Sequence, residues 1–252
     1  MSDTSKPFTK TAPAARLHMF EAEAAGLAEI AATKTIRVPE VYEVGTRDGC
    51  AYIEMERLQL RATTVTDETA AGEQLAAMHR VIAERFGWHR DNTIGPTLQH
   101  NPASDSWTDF YAEQRLKYQL ELAAHNGYQG ELQAEGERLL GLLPAILREH
   151  QPVASLLHGD LWGGNWGATD NGVVIFDPAV YYGDRETDIA MTRLFGGFGR
   201  SFYAAYERAW PLEAGHERRI ALYQLYHVLN HLNLFGSGYL GQSLALMRQL
   251  AT

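Results

Sequence analysis

The stretch His158-Gly159-Asp160-Leu161-Trp162-Gly163-Gly164-Asn165, followed by Ile175-Phe176-Asp177-Pro178, decides how this 252-residue sequence is read. Its form is H-x-D-x-x-x-x-N, then an apolar run ending in a second aspartate. Phosphoryl transfer asks for such a set. One carboxylate orients the attacking hydroxyl and takes its proton, while an amide oxygen and a second carboxylate hold Mg²⁺ against a triphosphate. Magnesium prefers oxygen ligands and keeps several waters, so one Asn and one Asp are enough from the protein. Gly159, Gly163 and Gly164 let the backbone turn tightly between the ligands. Taken singly, Asp160 and Asn165 would serve as turn formers and Asp177 as a cap. Both halves in this order, flanked by strand-like apolar runs, favour the site.

Outward from that stretch, Val153–Leu157 and Val173–Phe176 read as short strands bracketing a Gly-rich loop, and helices resume from about Glu186 to the C-terminus. Upstream, residues 131–149 predict a helix ending before Pro152. Ser106-Trp107-Thr108-Asp109 resembles a capping box opening a long helix to about Asn126, stopped by Gly127. Asp67 is expected to cap a helix to about Phe86, with Leu75, Met78, His79 and Ile82 on one face. Nearer the start, Leu17, Phe20, Ala24, Leu27 and Ile30 fall at helical spacing over 17–32. Val41–Val44 and Ala51–Glu56 alternate as strands around the turn residues Arg47-Asp48-Gly49. The fold class expected is α+β: a small sheet-containing lobe over residues 1–60 and a large, mainly helical lobe over 61–252, parting near Leu58–Ala62 with a cleft between.

Composition narrows the function classes. The 22 Lys and Arg against 31 Asp and Glu give a net charge of −9, with no basic run, which argues against a nucleic-acid partner. A 45% apolar content with 9 Phe, 5 Trp and 12 Tyr is too rich for a disordered chain. No apolar run is long enough for a membrane span and no signal peptide stands at the start, so a cytoplasmic location is expected. The single cysteine, Cys50, cannot form an intramolecular disulfide, and a small buried residue near a strand is the expectation for it. His227 and His231 are an i, i+4 pair without the acidic context of a zinc motif, so packing or substrate contact is expected. Gly196-Gly197-Phe198-Gly199 follows a helix and reads as a helix stop. Trp88, Trp107, Trp166 and Trp210 read as core. Trp162 either stacks on a sugar ring or packs beneath its loop.

The string Leu156–Asn165 with Ile175–Ala179 resembles the fructosamine kinase (ketosamine-3-kinase) family, within the aminoglycoside-phosphotransferase-like branch of the protein-kinase-like fold. Further matching pieces are Met19–Ala24, Phe86-Gly87-Trp88, Asn92–Gly95, Phe110–Leu116 and Gly183–Met191. Together they set this family apart from its antibiotic-modifying and choline-kinase-like relatives. The resemblance implies an ATP-dependent, Mg²⁺-requiring kinase that phosphorylates the sugar 3-hydroxyl of small-molecule or protein-bound ketosamines, a repair of glycation adducts. It implies that Asp160 is the catalytic base and that Asn165 and Asp177 bind Mg²⁺. Lys10 would contact the ATP phosphates and Glu23, with Glu21 its nearest competitor, would pair with that lysine. Glu56-Arg57-Leu58 would form the inter-lobe hinge whose backbone holds adenine, Asp188 would brace the catalytic loop, and Asp184 would cap a helix. Substrate choice is expected from the region around Tyr181–Arg185 and the last helices.

In one respect the sequence departs from the family pattern. Kinases of this class cover the phosphates with a Gly-rich loop between two strands upstream of the lysine, a stretch of about thirty residues. Here nine residues precede Lys10 and none is glycine. The alternatives to a ketosamine kinase are a kinase of another amino alcohol or an aminoglycoside, and a truncated, inactive pseudokinase.

Overall fold

The fold was read from a computed structural model, which describes residues 6–251. The first strand, β1 (Phe8–Pro13), pairs with the third, so that Lys10 lies opposite Ile53. Helix α1 (Leu17–Thr33) separates β1 from the hairpin of β2 (Val41–Arg47) and β3 (Cys50–Met55). The three strands form an antiparallel sheet in the order β1-β3-β2. The hairpin turn places both Asp48 (φ 53°) and Gly49 (φ 77°) in the left-handed region, the geometry that matches the right-handed twist of the flanking strands. Phe20 and Leu27 of α1 pack on Ala51, Ile53 and Met55 of β3 to make a small core of their own.

The rest of the chain builds a second, larger core. It runs through α2 (Val65–His79), β4 (Ile82–Ala83), β5 (Asn92–Ile94), β6 (Thr97–Gln99), α3 (Trp107–Tyr111), α4 (Tyr118–His125) and α5 (Glu131–Ile146). Then come β7 (Ala154–Leu157), the hairpin β8 (Trp166–Thr169) with β9 (Gly172–Ile175), and β10 (Tyr181–Gly183). Four helices close the chain: α6 (Glu186–Leu194), α7 (Arg200–Ala209), α8 (His216–Phe235) and α9 (Leu240–Leu250). Strand β7, buried at every residue, lies between β10 and β4. Helix α1 joins the two parts: Ile30 and Ile36, just past its end, belong to the larger core. A side chain at Gly26 would meet Val180 at 3.0 Å.

Several expectations need correction. The cap of α2 is Thr64, whose hydroxyl accepts from Asp67 N–H while the Asp67 carboxylate returns to Thr64 N–H; Asp67 is the second half of a capping box. That helix stops at His79 rather than near Phe86, because Ile82 and Ala83 pair with β7, and Ile82 is exposed. Helix α5 ends at Ile146, one turn earlier than expected. The expected helix over 107–126 is present but opens into a wider π-type turn over Ala112–Lys117, which buries the Arg115 guanidinium over the Tyr181 ring at 4.1 Å. Cys50 sits at the hairpin end of β3 and is exposed, not buried. Trp88, Trp107 and Trp166 are buried, whereas Trp210 is only partly so. Among the described residues no helix is long and apolar enough to cross a membrane.

A close helix contact lies at Gly72 of α2, where a Cβ would fall 2.3 Å from Phe202 O and 2.9 Å from Tyr206 N. These are backbone atoms that cannot swing aside. Gly72→Ala is therefore expected to destabilise the protein by about 1–3 kcal/mol despite alanine's better helix propensity. A urea titration checks this, and an unchanged or raised midpoint would refute it.

Candidate active site

Strand β7 delivers the chain to His158, and the next two peptide groups turn sharply. Gly159 adopts φ 81°, and a Cβ there would fall 2.1 Å from Ala179 O, so only glycine fits. The turn is held from below by Asp188 on α6. Its Oδ2 accepts from His158 N–H at 2.7 Å and its Oδ1 from Gly159 N–H at 2.8 Å. His79, at the end of α2, hydrogen-bonds Asp188 Oδ2 through Nε2 at 3.1 Å and Tyr206 Oη through Nδ1 at 2.8 Å. Burial alone would raise the Asp188 pKa, but the hydrogen bond and charge of His79 and the bond from the loop backbone hold it below the ordinary carboxylate value.

The side chain of His158 pins the two halves of the motif together. Its Nδ1 accepts from Asp160 N–H at 3.2 Å and its Nε2 lies 3.0 Å from Phe176 O. A carbonyl can only accept, so Nε2 carries the proton and the ring is neutral. Burial lowers its pKa in agreement. Phe176 N–H in turn donates to Asn165 O, and Asp177 takes up φ 58°, a left-handed conformation uncommon outside glycine. The loop after β7 and the turn after β9 are thereby locked side by side.

These locks gather Asp160, Asn165 and Asp177 in one cavity of about 290 Å³ with Lys10, Glu23 and Trp162. Asn165 Nδ2 donates to Asp160 O at 2.9 Å and to Asp160 Oδ2 at 3.3 Å. Lys10 Nζ bridges Glu23 Oε1 at 2.7 Å and Asp177 Oδ1 at 2.5 Å. Burial works against the Lys10 ammonium, yet the Glu23 and Asp177 carboxylates outweigh it and raise the Lys10 pKa. Glu23 reaches this point because Gly26, on the same face of α1, lets the helix approach Val180 and Pro178. Glu21, the competitor for this role, is exposed. Burial, reinforced by the Asp177 and Asp188 charges, pushes Asp160 up to about 8.

A second cavity, of about 320 Å³, shares Lys10 and Asp177 with the first. Its other walls include Phe8, Met55, Leu60 and Phe176 and the connection Glu56-Arg57-Leu58. The two charged side chains of that connection are occupied. Glu56 pairs with Arg37, and Arg57 donates to Lys6 O and Pro7 O. The Glu56 amide is spent on Glu40 O. What the connection can offer a ligand is therefore further backbone, beside an apolar wall. Lys10 and Asp177 stand where the apolar cavity meets the one holding Asp160.

Other expected contributors fall elsewhere. Tyr181, Gly183, Asp184 and Arg185 are buried, so this segment is wall and scaffold rather than a face for substrate. Asp184 accepts from Glu186 N–H at 3.1 Å as a capping group, and also binds His150 and Tyr223. His150, Asp184 and Glu186 come close enough to hold a metal ion, but Glu186 is already committed to Arg219 at 2.7 Å and His150 to Asp184. His227 is buried and its backbone carbonyl accepts from His231 Nδ1, so the two do not converge on a metal. Gly196 and Gly197 do more than end α6: a Cβ on Gly163 would lie 2.7 Å from Gly197 Cα. The Trp162 ring lies against Gly164 and is still 40% exposed, facing the cavity. The cavity walls Met19, Phe20, Asn92, Thr93 and Gly95 carry no chemical signal of their own in the sequence, although both segments are among the family-like pieces. The spacing of His79 marks it only as part of an apolar helix face.

A family model for fructosamine kinases matches residues 1–252. A probable ketoamine kinase of Synechocystis sp. is 45% identical over 97% of this chain and 82% of its own length. The chloroplastic protein-ribulosamine 3-kinase of Arabidopsis thaliana is 40% identical over 98% of this chain and 76% of its own. A Haemophilus somnus crystal structure described as a fructosamine-3-kinase superposes with a TM-score of 0.90 at 32% identity, covering 97% of this chain and 83% of that one.

An acid whose pKa rises from 3.8 to about 8 on folding stabilises the fold most below pH 4 and loses that contribution as pH climbs through 8. Asp160→Asn removes the buried charge. In the absence of nucleotide and metal it should melt roughly 3–8 °C higher than the wild type at pH 8.5, with the gap closing toward pH 4. A gap that does not vary with pH would contradict a buried Asp160 crowded by like charge.

Proposed function

The chain belongs to the fructosamine kinase family, and from that premise we propose that it transfers the γ-phosphoryl group of ATP to the sugar 3-hydroxyl of ketosamines, with Asp160 as the base. The observation that carries the reading is the meeting of the two cavities at Lys10 and Asp177. A nucleoside held in the apolar cavity against the Glu56-Arg57-Leu58 backbone would extend its phosphates past Lys10. An acceptor in the neighbouring cavity would present its hydroxyl to Asp160. The relatives' names, ketoamine kinase and ribulosamine 3-kinase, favour a ketosamine over an aminoglycoside or a plain amino alcohol as acceptor.

In this reading Asp160 accepts the hydroxyl proton as the new P–O bond forms and the bond from the γ-phosphorus to its bridging oxygen breaks. Its raised pKa suits a group that must take up a proton near neutral pH. Asn165 and Asp177 offer hard oxygen donors in the same cavity, which fits Mg²⁺, and Asp177 is freed for it once Lys10 turns to the phosphates. Bound there, Mg²⁺ would neutralise phosphate charge and draw Asp160 toward its ionised form. Glu23 keeps Lys10 aimed into the cleft when Asp177 lets go. Asp188 and His79 act only through the loop they hold.

Turnover of an ε-fructosyl-lysine or ribulosyl-lysine peptide with Mg-ATP tests this. Asp160→Asn should lower kcat by about 10²–10⁴-fold with little change in KM for ATP. Absence of turnover in the wild type, or full activity in the variant, would overturn the assignment.

A further inference from the structure

An aromatic group next to segments that flank the acceptor cavity has no part in the phosphoryl-transfer chemistry. The imidazole of His231 is surrounded by Phe195, Phe235 and Tyr239, at ring-centroid distances of 4.6, 5.2 and 5.2 Å. Phe235 is 68% exposed and Phe195 38%. Solvent-facing aromatic rings gathered in one place on a folded chain mark a surface that meets a ligand.

Two chain connections bring the group close to the cavity. Phe195 immediately precedes Gly196-Gly197, the backbone that lies against Gly163 of the catalytic loop. Phe235 immediately follows Leu234, the residue a side chain on Gly95 would touch, and Gly95 lines the cavity with Asp160. A substrate arm leaving the cavity between the catalytic loop and Gly95 would run onto these rings.

Their chemistry selects what that arm carries. His231 Nδ1 lies 2.8 Å from His227 O, so it is the protonated nitrogen and Nε2 is left as an acceptor. Burial holds the His231 pKa below its ordinary value, so the imidazole is uncharged near neutral pH. An uncharged acceptor among three aromatic rings suits a cation carried on an apolar stem: the ring faces attract the charge and the nitrogen accepts an N–H.

Building on the ketosamine reading, we propose that Phe195, His231, Phe235 and Tyr239 form the subsite for the substrate's amine-bearing arm, the secondary ammonium and alkyl stem of a glycated lysine. The enzyme on this view recognises the lysine as well as the sugar.

Steady-state kinetics with two acceptors test it: ε-fructosyl-lysine capped at both ends, and fructose, a stemless compound that also lacks the amine. In Phe235→Ala and Phe195→Ala the ratio of kcat/KM for the lysine conjugate over the stemless compound should fall about tenfold, mostly through KM for the conjugate. Phe235→Leu, which keeps apolar contact but no ring face, should recover only part of the loss. Both rings lie at the surface, and circular dichroism of the variants should match the wild type. If the two substrates lose equally, or neither loses, the subsite is wrong while the kinase reading stands. If the wild type phosphorylates neither compound, the kinase reading falls and takes the subsite with it.

Discussion

The buried carboxylate of Asp188 is the constraint on which the rest of the site depends. A charge placed in a low-dielectric interior is costly unless its lone pairs are filled. Here they are filled by the two consecutive backbone N–H groups of His158 and Gly159, and by His79 from a different helix. Because the anion needs those donors, it also dictates where they sit. The loop must leave β7 with Gly159 in the left-handed region, closed against Ala179 O, and Asp160 must follow into the cleft. His158 then carries the same order across to Phe176, which sets the position of Asp177.

What emerges is a concentration of negative charge around one lysine. Asp160, Asp177 and Glu23 share a cavity with Lys10, and Asp188 lies just beneath. One ammonium cannot neutralise them all, and the Asp177 and Asp188 charges add to the burial that raises the Asp160 pKa. Such a cavity favours a cation, and a magnesium-bound nucleotide brings one. In the proposed mechanism the ion pair from Lys10 to Asp177 is a resting arrangement that ligand entry would rearrange, with Glu23 retaining the lysine.

Much of this is legible in the residues because the chemistry is local. Asp160, Asn165 and Asp177 stand within one loop–hairpin–turn unit, so their order in sequence is nearly their order in space. The hairpin 41–55 is equally readable, since Asp48-Gly49 supplies the positive φ values that its turn demands. Long-range packing is not. His79 looks like one more residue on the apolar face of a helix, and nothing nearby signals that it meets Asp188 across 109 positions. The segment Tyr181–Arg185 is expected to take part in substrate choice, but β10 pairs its first residues to β7, and Tyr181, Gly183, Asp184 and Arg185 are buried. Cys50 shows the converse: its residue type favours burial, yet its place at a hairpin end leaves it in solvent. Ile82 breaks the expected helix because it finds a partner strand in β7.

The most direct test of the central claim is the position of the phosphate on the product. ³¹P–¹H correlation NMR of capped ε-fructosyl-lysine after incubation with this protein and Mg-ATP reports which sugar proton couples to phosphorus. Coupling to H3 alone is expected, with one ADP formed for each phosphoester. Phosphate on another hydroxyl, or ATP hydrolysed with no phosphoester formed, would contradict a ketosamine 3-kinase built around Asp160.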